Sequence, residues 1–307
     1  MHTLFRRSAI LFASSAMPWA LAFTIFAAIS ATTTPANAQG HYGYLSRQGE
    51  ALQRRLQPSN IFADVGFFYR ELGDTNSLIL RPSIHGIFPA GRKLGVALDW
   101  GFAFGHFNGD SDDEDDTVAY LGNPFVGVYW FDRTGRRTRL RLGGGIALPV
   151  SLATNDGLQP RAGLLATAMQ GLWNPWLWLD TLGFAGTGRF FGMSEAGFFG
   201  GIDFGLGLMF DLDDTVLVDA TELAFQFAGD VGYDWRSGAV GLRLQGVWIP
   251  TQAGDDDFQF MLGPFVKFTI GGGFGRVMFT MNLDDPYGSS FDDNGVYGLW
   301  FTGGKDF

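Results

Sequence analysis

The stretch FQFMLGPFVKFTI at residues 258–270 most constrains what this chain can fold into. Phe258, Phe260, Leu262, Pro264, Val266, Phe268 and Ile270 alternate with Gln259, Met261, Gly263, Phe265, Lys267 and Thr269. A period of two held over this length is a β-strand whose two faces meet different surroundings. The run is too long for an average globular strand and suits one that crosses a bilayer obliquely, which takes about 9 to 11 residues plus overhang. Its apolar face carries aromatic and branched groups fit for lipid. Lys267, on the other face, then needs water or a polar lumen.

Composition narrows the choice further. The 307 residues include 45 Gly and 31 Phe, far from average usage, and no Cys. Disulfides, thiolate metal sites, cysteine nucleophiles and acylation of a cysteine are excluded. Residues 1–38 read as a signal peptide: Arg6 and Arg7, an apolar run of about ten residues centred on 20–29, and Ala36-Asn37-Ala38 as a small-x-small cleavage site. The mature chain is expected to begin near Gln39. An uncleaved anchor is the other reading of this segment, against which Pro18 shortens the helix. No later window has the apolar length of a spanning helix, which leaves the closed barrel as the way for an alternating, aromatic-rich chain to sit in lipid.

Residues 39–60 form a separate N-terminal periplasmic segment. Arg47, Glu50, Arg54 and Arg55 surround Leu45, Leu52 and Leu56, giving either a short amphipathic helix ended by Pro58 or a disordered leader. From residue 61 onward, twelve period-two runs follow: 61–71, 77–88, 93–107, 117–131, 138–150, 176–191, 198–210, 215–227, 238–249, 258–270, 274–283 and 295–307. The expected fold is therefore all-β, a transmembrane antiparallel up-and-down β-barrel of about 12 strands over residues 61–307. An even count returns both termini to the periplasmic side.

The connections check this count. Odd-numbered links carry Asp74, the run SDDEDD at 111–116, Asp213 and Asp214, Asp255 to Asp257, and Asp284, Asp285, Asp292 and Asp293. Even-numbered links carry Arg92 and Lys93, Arg133 with Arg136 and Arg137, GMSEAG, the stretch 229–236, and 271–273. Aspartate thus segregates to one side of the barrel. One outward link, 151–175, is long and contains helix formers from Arg161 to Trp173, so a helix is expected in the third outer loop. Trp173, Trp176 and Trp178 fall where an interfacial aromatic belt would lie. The alternative is two further strands turning at Asn174-Pro175, which makes a fourteen-strand barrel if the leader also pairs.

In this pattern the chain resembles Gram-negative outer-membrane β-barrel proteins over residues 61–307, without a family-specific motif. The resemblance implies an outer-membrane location, contact with its lipid and lipopolysaccharide, and insertion by the barrel-assembly machinery, which reads a terminal strand ending in Phe. Phe307, Phe301, Leu299 and Tyr297 fit that signal, whereas Lys305 and Gly303 interrupt it.

Assigning the less apolar face of each run inward places Asp64, Arg70, Arg81, His85, Asp99, Arg139, Arg141, Arg189, Asp203, Glu222, Arg243, Lys267 and Arg276 in the lumen. Cations outnumber carboxylates there. Two readings follow: a path for small polar or anionic solutes, or a closed network of paired charges. Arg243 and Glu222 are expected to be neighbours. Inward glycines Gly95, Gly101, Gly143, Gly145, Gly205, Gly207 and Gly241 either leave room or allow the strands to bend.

Other chemistry is thinner. Asp112, Asp113, Glu114, Asp115 and Asp116, flanked by Asp110, could hold divalent cations, attract them diffusely between lipopolysaccharides, or form a solvated loop. They lack the spacing of a dedicated calcium loop. His106 is within sequence reach of Asp110 but falls on the lipid-facing parity, and no serine or aspartate constellation accompanies it, so an enzyme is not expected. The GxG clusters do not stand between a strand and a helix, which removes a phosphate-loop reading. No cofactor is expected, and a net charge of -10 with pI near 4.7 argues against nucleic acid. The function classes left are a passive channel, a structural or surface-interaction barrel, and, last, a rim hydrolase.

The topology predicts which single cysteines an impermeant label reaches on intact cells. Cysteine at Asp113 or Asp256 should be labelled and cysteine at Arg136 should not; labelling at Arg136 alone would reverse the orientation.

Overall fold

The computed structural model describes residues 60–72, 75–91, 93–108, 116–135, 137–151, 158–211, 221–235, 237–251, 257–270, 273–283 and 297–306. Residues 1–59, which include the expected signal peptide and N-terminal segment, lie outside them, as do Asp112 to Asp115 and Phe307. Thirteen strands form one antiparallel sheet: β1 (Asn60–Leu72), β2 (Thr75–Pro89), β3 (Leu94–Asn108), β4 (Asp116–Leu121), β5 (Phe125–Arg133), β6 (Thr138–Ala147), β7 (Thr181–Met193), β8 (Phe198–Asp211), β9 (Thr221–Trp235), β10 (Gly238–Trp248), β11 (Phe258–Ile270), β12 (Gly273–Asn282) and β13 (Tyr297–Asp306). Each strand pairs with the next, except that β4 and β5 both pair with β3, and β1 closes the circle against β13, with Asn60 opposite Asp306 and Phe67 opposite Leu299. Closure leaves the barrel without a free edge in lipid, as a spanning sheet requires.

The barrel has twelve staves rather than thirteen, because β4 and β5 are two halves of one. Both pair with β3, β4 along residues 102–107 and β5 along 94–99. The break between them is Gly122-Asn123-Pro124, where proline withholds a ladder donor. The twelve-stave count thus stands. The staves are joined at one end by short turns and at the other by links that are longer in every case but the two-residue Gly73-Asp74, the asymmetry expected of outer-membrane barrels. Asn60 and Asp306 lie at the short-turn end, near the β2–β3 turn that follows Ile87.

Two boundaries depart from the sequence reading. The sixth run begins at Thr181 instead of Trp176, since Pro175–Leu177 is a single 3-10 turn. The eighth extends eight residues past Phe227 to Trp235, so that 229–235 is wall and not connection.

The outward face is apolar throughout. Val128, Phe198, Ile202, Phe204, Leu206, Phe227, Val231, Val240, Leu244, Val266 and Phe301 all expose large side chains. Such a continuous apolar exterior belongs against lipid. Aromatic residues gather at its rims, with Phe198 edge-on to Tyr233 at the short-turn end, and Phe225 stacked on Trp248, and Phe279 on Tyr297, at the other. These rings form the interfacial girdles.

Candidate functional site: the barrel interior

The fifth link does not stay outside the barrel. Its helix α1 (Leu158–Ala168) and the 3-10 turn fold inward and fill the end of the lumen nearest the long loops. Pro160 sits in the first helical turn, where its missing N–H costs nothing. Gly171, Leu172 and Asn174 adopt positive φ and stop the helix. Ala162, Leu165, Ala166 and Met169 pack with Phe68, Ile79, Phe107, Tyr120, Met209, Val247 and Trp300 into one buried apolar cluster contributed by staves all round the barrel.

The helix ends inside protein, so its last carbonyls need partners other than water. The following turn supplies some, from the N–H groups of Gln170 to Trp173, and the wall supplies others. Arg81 Nη1 donates to the Ala166 carbonyl at 2.7 Å, Asn282 Nδ2 to Ala168 at 3.2 Å, Thr280 Oγ1 to Met169 at 3.0 Å, and Gln245 Nε2 to Gln170. Gln226 accepts from the Asn174 backbone N–H at 2.9 Å and donates to its side-chain oxygen at 2.7 Å. Arg81 also lies over the rings of Trp178 and Trp300, 4.1 and 4.9 Å from their centroids. Those rings shield its buried charge.

The break in the fourth stave is the other anchor. Asn123, with 0% exposure, donates to the carbonyls of Trp176, Leu179 and Thr181 and accepts from the N–H groups of Val150 and Ser151. Trp176 and Trp178 are 2% and 1% exposed. They are core residues of the inserted segment and not members of an interfacial belt. Glycine makes the space for them: a Cβ at Gly101 would strike the Trp178 ring, and one at Gly207 the Trp176 ring. The remaining inward glycines seat wall side chains in the same way, Gly143 under Tyr129, Gly241 under Phe265 and Gly95 under Phe131.

On β9, β10 and β12 the charged inward residues Asp230, Arg243 and Arg276 lie nearer the short turns than Gln226, Gln245 and Thr280, which touch the inserted segment. A charged belt therefore lies beneath the inserted segment. Arg243 Nη1 contacts Asp203 at 2.9 Å and Asp230 at 3.1 Å, and Arg189 contacts the same two carboxylates at 3.1 and 3.0 Å. Arg243 also lies 4.8 Å from the ring centre of Trp173, so the belt touches the segment above it. Arg141 and Arg276 are held instead on aromatic faces, those of Tyr129 and Phe265 at 5.1 and 4.4 Å. Among the described residues neither makes a direct ion pair, and Arg276 Nη2 donates to the Met278 sulfur at 2.7 Å.

A second group occupies β1, β2 and β3. His85 Nδ1 is 2.7 Å from Asp99, and its Nε2 is 3.1 Å from Ser83 Oγ and 3.2 Å from Asp64. Serine, histidine and aspartate thus stand in the order of a hydrolytic triad, a grouping the sequence reading did not find. The fourth member alters its chemistry. With a carboxylate at each ring nitrogen, both nitrogens are placed as N–H donors, and no lone pair is left to take the serine proton. Ser83 is also buried, at 4% exposure. The group clamps the ring, which stacks on Phe62.

Among the other expected lumen residues, Lys267 lies over Phe274 at 4.1 Å and Arg139 bonds the Thr138 carbonyl. Arg70 belongs to β1, but its side chain is outside the described set. Glu222 is not beside Arg243: it sits at the loop end of β9, bonded by Thr251, while Asp230 is the residue opposite Arg243. Sequence reasoning missed Asp230 by ending the strand at Phe227. His106 bonds Thr117 Oγ1 at 2.9 Å on the exposed side.

No protein-family model matches the chain, and no characterised protein matches it in sequence. Solved structures do. An outer-membrane channel from Pseudomonas putida F1 superposes with a TM-score of 0.53 at 10% identity, covering 82% of this chain and 97% of that one. The NanC porin gives 0.46 at 7% identity over 80% and 100% of the two chains. LpxR from Salmonella typhimurium gives 0.43 at 10% identity over 81% and 100%. At these identities the likeness is one of fold: the chain is a closed β-barrel of the Gram-negative outer-membrane kind.

Arg243→Ala leaves two carboxylates, with side-chain exposures of 9% and 8%, sharing the half-buried Arg189. It should cost about 3 kcal/mol, the low end for breaking a buried pair. Lys93→Ala, which breaks the exposed Lys93–Asp132 pair, should cost less than about 1 kcal/mol. Urea titration of heat-modifiable gel migration reads both, and equal losses would show that the Arg243 cluster is hydrated like a surface pair.

Proposed function

We propose that the protein is a passive, non-enzymatic channel for small polar or anionic solutes, narrowed in its outer half by residues 158–180. The observation that carries this reading is the charged belt, in which Arg189 and Arg243 share Asp203 and Asp230 while Arg141 and Arg276 rest on aromatic rings. Basic side chains around a lumen lower the barrier for anions and raise it for cations. The description of the Pseudomonas putida barrel as a channel supports the same reading.

A second reading is favoured by a different observation. The apolar cluster around α1 draws on staves all round the barrel, which suits a closed structural barrel that works through its acidic outer loops, with divalent cations or lipopolysaccharide as partners.

Planar-bilayer recording separates the two. The channel reading expects a small, steady, anion-preferring conductance in the wild type and a larger one in the Thr280→Ala, Asn282→Ala double variant, which loosens the end of α1. A wild type and a loosened variant that are both silent would establish the closed barrel instead.

A further inference from the structure

Burial changes abruptly at the tip of the inserted segment. Leu172 and the run from Pro175 to Trp178 are buried, whereas Trp173 and Asn174 between them are only half-buried. The tip faces the short-turn end, because Trp173 touches the charged belt through Arg243. The surface these two residues keep is therefore surface on the inner lumen.

Two adjacent staves hold the tip there. Gln226 on β9 bonds both the backbone and the side chain of Asn174, and Gln245 on β10 donates to the Gln170 carbonyl. Gly205 leaves room for the first of these, since a Cβ there would lie 2.6 Å from Gln226 Nε2. Arg243 Nε donates to Gln245 Oε1 at 2.9 Å, while its Nη1 is held by Asp203 and Asp230. The guanidinium is thus fixed along its edge and presents its face to the indole, 4.8 Å from the ring centre. On the other side, the indole packs against the apolar cluster around α1.

The backbone is shaped to the same end. Trp173 stands between Leu172 at φ 60° and Asn174 at φ 55°. Gly171 alone is enough to end a helix. Left-handed conformations at residues other than glycine are uncommon and persist only where the surroundings hold them, so a pair of them around one side chain points to a constraint on where that side chain goes.

We infer that Trp173 is the size-determining residue of the passage: its ring, seated between Arg243 and the apolar cluster, borders the path along β9 and β10 at its narrowest point. The charge of Arg243 is shared with two carboxylates, so at this point the ring limits solutes by width and not by sign. The inference rests on the channel reading and deepens it, naming the residue that limits which solutes pass.

The experiment uses the full mature chain refolded in detergent and reconstituted in planar bilayers, with polyethylene glycols of graded size as the probe of width. Trp173→Ala should raise the conductance roughly twofold or more and admit larger polymers, because the groups lining a constriction set what passes it. Trp173→Phe, which keeps a ring, should stay near the wild type. The natural chain has no cysteine, so Trp173→Cys gives a third reading: it should conduct as Trp173→Ala does, fall back when a small methanethiosulfonate modifies it, and recover with reductant. Trp173 is half-buried, and all three variants should keep the heat-modifiable migration of the wild type. A wild type that conducts, with conductance and polymer cut-off unchanged in Trp173→Ala and unaffected by modification of Trp173→Cys, overturns the proposal and leaves the channel standing. Silence of the wild type and of every Trp173 variant removes the channel and the proposal together.

Discussion

Carbonyl groups left over at the end of α1 decide how this barrel is filled. A helix leaves its final carbonyls without partners, and here that end is buried in the lumen, where an unmatched carbonyl is costly. At this end and in the turn after it, the Ala166 and Met169 carbonyls are met by Arg81 on β2 and Thr280 on β12, and those of Ala168 and Gln170, which also accept from the Gly171 and Trp173 N–H groups, by Asn282 on β12 and Gln245 on β10. The donors come from three staves, so the segment fits in one orientation. Apolar burial against Phe68, Ile79 and Trp300 supplies the driving force, and the hydrogen bonds choose the position.

From that fit the lumen divides in two. Towards the long loops it is a packed apolar interior, in which Trp176 and Trp178 occupy space that Gly207 and Gly101 vacate. Towards the short turns, the wall is lined by guanidinium groups, aspartates and the His85 clamp. Arg243 joins the halves, lying over Trp173 while paired below to Asp203 and Asp230. A change in the position of the segment would therefore be felt by the charged belt directly.

The barrel was legible in the sequence because lipid imposes a strict rule on alternate residues. Period, parity and acidic links all report that rule, and they agree on twelve staves. The interior obeys no such rule. Tryptophan serves equally at a membrane interface and in a core, so the spacing of Trp173, Trp176 and Trp178 did not show that their link turns inward. Inward glycines read as room or as flexibility, whereas Gly95, Gly101, Gly143, Gly207 and Gly241 accept rings from elsewhere in the chain. Asp230 was missed because Gly229, Asp230, Gly232 and Asp234 look like turn residues. The alternation of Val231, Tyr233 and Trp235 on the opposite face was the signal that marks this stretch as wall. The serine, histidine and aspartate near β2 meet only through sheet register, which places His85 opposite Asp99.

The central claim is that residues 158–180 lie inside the barrel against its far wall, and cross-linking tests it most directly. A Cβ at Gly171 would lie 2.6 Å from the Cβ of Met261 on β11, so a slight relaxation brings a cysteine pair to the roughly 3.5–4.5 Å that a disulfide spans. The natural chain has no cysteine to compete. Oxidising the Gly171→Cys, Met261→Cys variant in membranes should give a bridge, seen as a reductant-reversible shift of the denatured band. Two thiols that stay free under oxidant, both open to an impermeant maleimide from outside the cell, would contradict the account.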